Sequence, residues 1–200
     1  MVSLIPADVG KDDPSPETGL FLQYPDETIR EVIDKKVADH PGKVIIEKTP
    51  AHFHKMDKIF RMYPDAKVVF VRRGAKATIS SMLLNGTANG NPSTWNMNQC
   101  VLIYGAARRV WQTWKGDERV GAVFYEDLAN VPELTVRGLF VWLGLDLEHV
   151  NDCIEANHRT PAYDVPGVLR KGTVDSWKED LSEGQSELID SIFEEEAAVA

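Results

Sequence analysis

The sequence predicts an α/β fold in which helices flank a parallel sheet, and three observations support this prediction. Short apolar runs that suit buried strands occur at 44–47, 68–71 and 120–124. Longer segments whose apolar residues recur at helical spacing separate these runs. Strands that alternate with helices along a chain are typical of parallel sheets, because each parallel connection needs a crossover.

Apolar spacing and turn residues define the helices. The predicted helices cover 25–40, 50–62, 75–84, 94–114 and 132–143, and a last one begins near residue 183. We expect Leu102 and Leu134 among their inward-facing residues. The strand–helix–strand order within 44–71 predicts a βαβ unit with a right-handed crossover. Residues 1–24 are rich in Asp, Pro, Ser and Gly and predict a loose N-terminal arm, which leaves one domain at 25–200.

Composition narrows the class of protein. Two hundred residues, 43% of them hydrophobic, suffice for a single domain with a buried core. The net charge of −9 disfavours a nucleic-acid-binding protein, although a small anionic ligand needs only a few local cations. Cys100 and Cys153 have no metal-site spacing and suit a reduced, cytoplasmic chain. No apolar run is long enough to span a membrane, and the oligomeric state is not predicted.

Charged residues end two of the predicted strands. Glu47-Lys48 follows the first strand, and Arg72-Arg73 follows the second. Ligands of open α/β sheets bind beyond the carboxyl ends of the strands, so these charges predict either an anion site or an ion pair that caps the sheet. Ser81, two helical turns after Arg73, could hold the same anion. A third cluster, Arg170-Lys171-Gly172, combines two cations with a residue that allows close backbone approach.

Three motifs in this order resemble the sulfotransferases that use 3′-phosphoadenosine 5′-phosphosulfate (PAPS). "VFVRRGAKATISS" is similar to the family's 3′-phosphate segment, which implies that Arg73 and Ser81 hold that phosphate. "RKGTVDSWK" is similar to the family's late RKG…W-K segment and implies the same for Arg170, Lys171 and Gly172. "VFYEDL" is similar to a segment that implies a place for Tyr125 near the adenine. The resemblance implies a fold like that of the P-loop nucleotide kinases and a nucleotide substrate, PAPS, without a metal.

The segment "EKTPAHF" resembles glycan-type and bacterial members of that family. It implies that Glu47 is the general base and that Lys48 contacts the transferring sulfuryl group. Cytosolic members have a histidine where this chain has Pro50, which favours Glu47 as the base. His52 and His54 follow closely, and each could be a second base, an acceptor contact or an ordinary surface or capping histidine.

One feature of the family is not found in residues 1–43, namely the first strand and the Gly/Ser/Thr-rich loop that holds the 5′-phosphosulfate. The sequence therefore predicts a fold that lacks this strand and loop. Two functions stay open: sulfuryl transfer to a hydroxyl, or a non-catalytic module that binds a 3′-phosphonucleotide. A nucleotide kinase is disfavoured because no GxxxxGK[ST] loop is present. The acceptor, which could be a small molecule, lipid or carbohydrate, would contact residues 1–43, 85–98 and 145–168.

Overall fold

The computed structural model describes four stretches of the chain, residues 2–3, 19–88, 95–159 and 174–193. Side chains are described over 19–84, 95–155 and 174–193. The chain divides into two compact units, Met1–Ala66 and Lys67–Ala200, which we term the first and the second unit.

Among its described residues, the first unit has one short strand pair and a few helices. β1 (Val2–Ser3) pairs in parallel with β2 (Ile45–Ile46). The helices are α1 (Leu20–Gln23), α2 (Asp26–Asp39) and α3 (Met56–Met62), and a 3₁₀ helix, Pro50–Lys55, leads into α3. The predicted helix 50–62 therefore starts with a 3₁₀ segment, and Pro50 suits its first turn because proline lacks the N–H that would find no partner there.

Salt bridges and a small core hold the helices of the first unit together. Asp26 in the first turn of α2 accepts from Arg61 at 2.8 Å and Lys58 at 3.4 Å, both on α3. Asp26 also lies at the N-terminus of α2, where the positive end of the helix dipole stabilises a carboxylate. Leu20 and Ile29 are fully buried. The two salt bridges thereby fix the start of α2 to α3.

The second unit contains the strand pair that carries the predicted anion site. β3 (Val68–Arg72) pairs in parallel with β4 (Val120–Phe124), in a register that puts Arg72 opposite Phe124. The helices of this unit are α4 (Ala75–Ala88), α5 (Met97–Trp114), α6 (Tyr125–Asn130), α7 (Pro132–Leu143), α8 (Val150–Arg159), α9 (Trp177–Asp180) and α10 (Glu183–Phe193). β4 and α7 have the predicted bounds, and β3 and β4, two of the predicted strands, are parallel as expected.

The core of the second unit lies between α4, α5 and α10. Ile79, Cys100, Ile189 and Phe193 are buried there. Burial raises the pKa of the Cys100 thiol. α5 begins at a capping box in which Asn96 and Gln99 satisfy each other's backbone N–H groups. This packing fixes α4, whose first residue follows the end of β3 by three positions.

The prediction of an inward-facing side chain is wrong for two residues. Leu102 on α5 is 66% exposed and Leu134 on α7 is 70% exposed. Periodicity finds the apolar stripe of a helix, but a neighbouring element must cover a residue to bury it, and the sequence does not indicate which part of the stripe is covered.

Several short elements lie where the sequence predicts loops. α1 and β1 lie within the predicted arm 1–24, and α8 lies between the last two predicted helices, where the sequence predicts no further helix or strand. α1 has four residues, about one turn, which is too short for a periodic pattern. β2 pairs with β1, and β3 pairs with β4. The crossover between β2 and β3, and the domain boundary at residue 25, stay predictions.

Candidate functional site

Arg73 and Tyr125 lie together at the carboxyl end of β3 and β4. The parallel register pairs the last residues of the two strands, Arg72 and Phe124, so the next residue of each chain segment is also adjacent. The Arg73 guanidinium stacks over the Tyr125 ring at 4.4 Å from its centroid. Two residues that the resemblance implies in one nucleotide site are thus brought into contact.

Three neighbouring side chains hold the turn between β3 and α4. Thr78 and Tyr104 donate their hydroxyls to the Arg73 carbonyl at 3.3 and 3.4 Å. The Gly74 N–H donates to Glu126 Oε1 at 3.0 Å. Helices α4, α5 and α6 therefore each hold the backbone at Arg73 or Gly74, which gives the Arg73 side chain a rigid support.

Ser80 and Ser81, on the second turn of α4, have different surroundings. Ser80 is 2% exposed and donates to Asp180 on α9 at 3.2 Å. Ser81, the predicted phosphate ligand, is half-buried and lies about 100° further round the helix. Ser80 thus serves the packing of α9, whereas Ser81 lies on another face of the helix.

The late "RKG…W-K" segment meets α4 through its described part. Lys76 Nζ lies 4.7 Å from the centroid of the Trp177 ring and forms a 2.7 Å salt bridge with Asp190 on α10. Together with the Ser80–Asp180 bond, these contacts dock α9 on the helix that follows Arg73. Arg170, Lys171 and Gly172 lie outside the described residues. Residues 89–94, part of the segment 85–98 that is predicted to contact the acceptor, also lie outside them.

In the first unit, Glu47 lies in a buried hydrogen-bond network that follows β2. Glu47 Oε2 lies 2.5 Å from His52 Nδ1, and Glu47 Oε1 accepts from Thr49 Oγ1 at 2.8 Å. The side chains of Glu47 and His52 are 9% and 10% exposed. The predicted base is therefore held on both of its oxygens by residues that follow it within five positions.

Backbone N–H groups at the start of α1 complete this network. The Gly19 N–H donates to Thr49 Oγ1 at 3.1 Å, and the Phe21 N–H donates to His52 Nε2 at 3.2 Å. Gly19 has a φ of 60°, and a Cβ there would lie 2.6 Å from Gln23 Nε2, so the position favours glycine. These N–H groups belong to the first turn of a helix, where no partner within the helix exists.

The other predicted residues of the first unit are more exposed. Lys48 is exposed, as expected for an extended segment in which alternate side chains point to opposite sides. His54 is exposed and contacts Phe53, with the ring centroids 3.9 Å apart and the ring planes tilted by 40°. Glu47 and His52 lie in the first unit, and Arg73, Ser81 and Tyr125 lie in the second.

Sequence reasoning missed the partners that hold these residues. Thr49 stands next to the predicted "EK" pair and could have been found as the residue before a proline-started helix. Gly19 and Phe21 contribute backbone N–H groups, which leave no signal in a sequence. Glu126 belongs to the "YEDL" motif but was not assigned a role. The residues that sequence reasoning missed therefore mainly orient the predicted site residues.

The described stretches hold neither a candidate metal cluster nor a candidate membrane helix. Within those stretches, no group of three or more His, Cys, Asp or Glu side chains is arranged to hold a metal ion. Within the same stretches, no helix is both long and apolar enough to cross a membrane. The predicted cytoplasmic location stays a prediction.

Comparison with known proteins gives a family match and a similar fold. A model described as "Sulfotransferase family" matches residues 6–149. Among solved structures, the mouse sulfotransferase SULT7A1 complexed with PAP is similar, with a TM-score of 0.57 and 16% identity over 86% of this chain and 72% of that one. No curated protein matches. The structural similarity confirms the predicted α/β fold class.

Proposed function

The chain belongs to the sulfotransferase family, and on that premise we propose that it transfers a sulfuryl group from PAPS to a hydroxyl acceptor with Glu47 as general base. The contact between Arg73 and Tyr125 at the end of the β3–β4 pair carries this proposal. The similar mouse protein was solved with PAP, the nucleotide product that such a transfer would leave.

On the nucleotide side, Arg73 and Ser81 would bind the 3′-phosphate and Tyr125 would lie near the adenine. The Arg73 guanidinium carbon lies over the Tyr125 ring at 4.4 Å from its centroid. A guanidinium binds phosphate at its edge through a fork of N–H donors. The turn that carries Arg73 is fixed by Thr78, Tyr104 and Glu126. Arg170, Lys171 and Gly172 would complete the phosphate site, as the resemblance implies.

On the acceptor side, Glu47 would take the proton of the attacking hydroxyl. The acceptor oxygen forms a bond to sulfur while the bond between sulfur and the bridging phosphate oxygen breaks, and PAP leaves with that electron pair. Lys48 would offset the negative charge that develops on the sulfuryl group. A positioned base contributes roughly 10²–10⁴-fold to such a step. No metal enters this scheme.

The "EKTP" segment favours a relation to the glycan-type or bacterial members, and we extend the proposal to that subtype. Its acceptor would be a small molecule, lipid or carbohydrate with a hydroxyl, and the chain would act in the cytoplasm. We also propose that it lacks the family's 5′-phosphosulfate loop. Residues 4–18, which precede α1, lie outside the described residues.

One observation favours the alternative, a module that binds the nucleotide without transferring the sulfuryl group. The Glu47 side chain is only 9% exposed, and both of its oxygens already accept hydrogen bonds. A carboxylate offers about four lone-pair directions, so two hydrogen bonds do not by themselves prevent it from accepting a proton. Activity measurements have to decide between the two functions.

The deciding experiment combines binding and transfer on the same protein. PAP is titrated by calorimetry, and transfer of labelled sulfate from PAPS is assayed on a panel of hydroxyl acceptors. Glu47→Gln should keep PAP affinity within about threefold and lower transfer by about 10²-fold or more. Glu31→Gln, an exposed change on α2 of the same unit, is the matched control and should alter neither.

The outcomes separate the two functions. PAP binding with no transfer to any acceptor would favour the non-catalytic module. Normal transfer by Glu47→Gln would refute the assignment of the base. Absence of PAP binding to the unmodified chain would refute both functions.

A further inference from the structure

We infer that His52 is a positioning residue, which orients the Glu47 carboxylate through Nδ1 and is itself locked by the Phe21 N–H. The inference rests on the proposed role of Glu47 as base. It replaces the expectation, stated from the sequence, that His52 could itself act as a second base or contact the acceptor.

The hydrogen bonds determine where His52 carries its proton. The Phe21 backbone N–H can only donate, and it lies 3.2 Å from Nε2, so Nε2 must present a lone pair. A neutral imidazole has one N–H and one lone pair. The proton is therefore on Nδ1, and Nδ1 donates to Glu47 Oε2 at 2.5 Å. An imidazolium would set a second N–H against that of Phe21.

The same reasoning fixes the direction of the Thr49 hydrogen bond. Thr49 Oγ1 accepts from the Gly19 N–H at 3.1 Å and lies 2.8 Å from Glu47 Oε1. Its single hydroxyl hydrogen is thus available to Glu47. Two donors, each polarised by a backbone N–H behind it, converge on one carboxylate. This arrangement orients the Glu47 carboxylate through both of its oxygens.

His52 itself is poorly placed to accept a proton from a substrate. Its side chain is 10% exposed, Nδ1 already carries a proton, and the Nε2 lone pair is used by Phe21. A base must lie within hydrogen-bond reach of the proton that it removes. The effect of His52 on transfer would therefore pass through the orientation of Glu47.

Two variants of His52 separate positioning from proton transfer, because each keeps a different half of its hydrogen bonding. In His52→Asn, the amide nitrogen takes the place of Nδ1 and can still donate to Glu47. In His52→Gln, the longer amide reaches towards Phe21, and the donor at the Nδ1 position is lost. His149→Asn is the matched control, since the His149 side chain is 60% exposed and belongs to the second unit.

We expect His52→Asn to keep kcat within about tenfold of the unmodified chain and His52→Gln to lower it by about 10²-fold, the usual cost of a misplaced catalytic group. PAP affinity should stay within about threefold in both. Equal loss in the two variants, to the level of Glu47→Gln, would mean that His52 takes the proton and would overturn the inference. Unchanged kcat in both would overturn it as well.

A spectroscopic readout tests the inference independently of activity and of the proposed function. Long-range proton–nitrogen correlation on the unmodified chain, labelled at histidine, distinguishes the two ring nitrogens. The His52 signal is the one that His52→Asn removes. We expect a protonated Nδ1 and an unprotonated Nε2 near neutral pH. A proton on Nε2 would overturn the inference even if the chain transferred sulfate as proposed, and a protonated Nδ1 would support it even if no transfer occurred.

Discussion

Replacing Arg73 by lysine keeps one positive charge at the end of β3 but removes the flat guanidinium and its fork of donors. The stack on Tyr125 is a half-buried cation–π contact at 4.4 Å, in a class that contributes about 0.5–2 kcal/mol. Hydrogen bonds to a charged group contribute about 1.5–3 kcal/mol. The contact with Tyr125 is present with and without PAP, so the loss of PAP affinity comes from the phosphate hydrogen bonds. A loss of about 1.5–3 kcal/mol corresponds to PAP binding weakened by roughly 10- to 10²-fold.

Titration calorimetry with PAP measures this loss directly. The matched control is Arg137→Lys, at an arginine on α7 that is 45% exposed and pairs with Glu133. The control should bind PAP as the unmodified chain does, because exposed pairs of this kind contribute little. Thermal unfolding checks that Arg73→Lys is folded. A folded Arg73→Lys variant with PAP affinity within about threefold of the original would refute the assignment of Arg73 to the 3′-phosphate.

Two further predictions concern stability. Ser80→Ala and Asp180→Ala should each lower the free energy of unfolding, and a double-mutant cycle in urea should show a coupling of about 1 kcal/mol, because the two residues share one hydrogen bond between α4 and α9; additive losses would contradict this. Hydrogen bonds from Arg119 lower the pKa of Asp117 to about 2, so the stability they provide is fully present above the ordinary value of 3.8 and is lost as the pH falls towards 2. The difference in Tm between the unmodified chain and Asp117→Asn should therefore shrink between pH 4 and pH 2, and a constant difference would show that the ion pair does not contribute.

The sequence predicted the strands and helices best where patterns are long or sharply bounded. β4 and α7 have the predicted bounds, since Pro132 starts α7 and Gly144, in the left-handed region with φ 72°, ends it. The pairing of Arg73 with Tyr125 also follows from predictable features, because both residues come directly after strands that run in parallel. The family resemblance implies the roles of these two residues, and the parallel register of β3 and β4 brings them into contact.

The parts that could not be predicted depend on backbone groups and on tertiary contacts. Nothing in "PETGLF" indicates that the N–H groups of Gly19 and Phe21 bind Thr49 and His52, since every residue except proline carries such a group. His52 likewise could not be distinguished from a base by its sequence position. Its role depends on which nitrogen is occupied, and only the folded chain determines that.

Recognition of a nucleotide by the second unit through its 3′-phosphate can be tested by comparing two ligands. PAP and adenosine 5′-phosphate differ only in that phosphate group, so calorimetric titration of the unmodified chain with each isolates its contribution. Charge-assisted contacts from arginine and serine predict that PAP binds about 10²-fold more tightly and that Arg73→Lys removes most of this preference. Equal affinity for the two ligands would show that the chain does not recognise the 3′-phosphate.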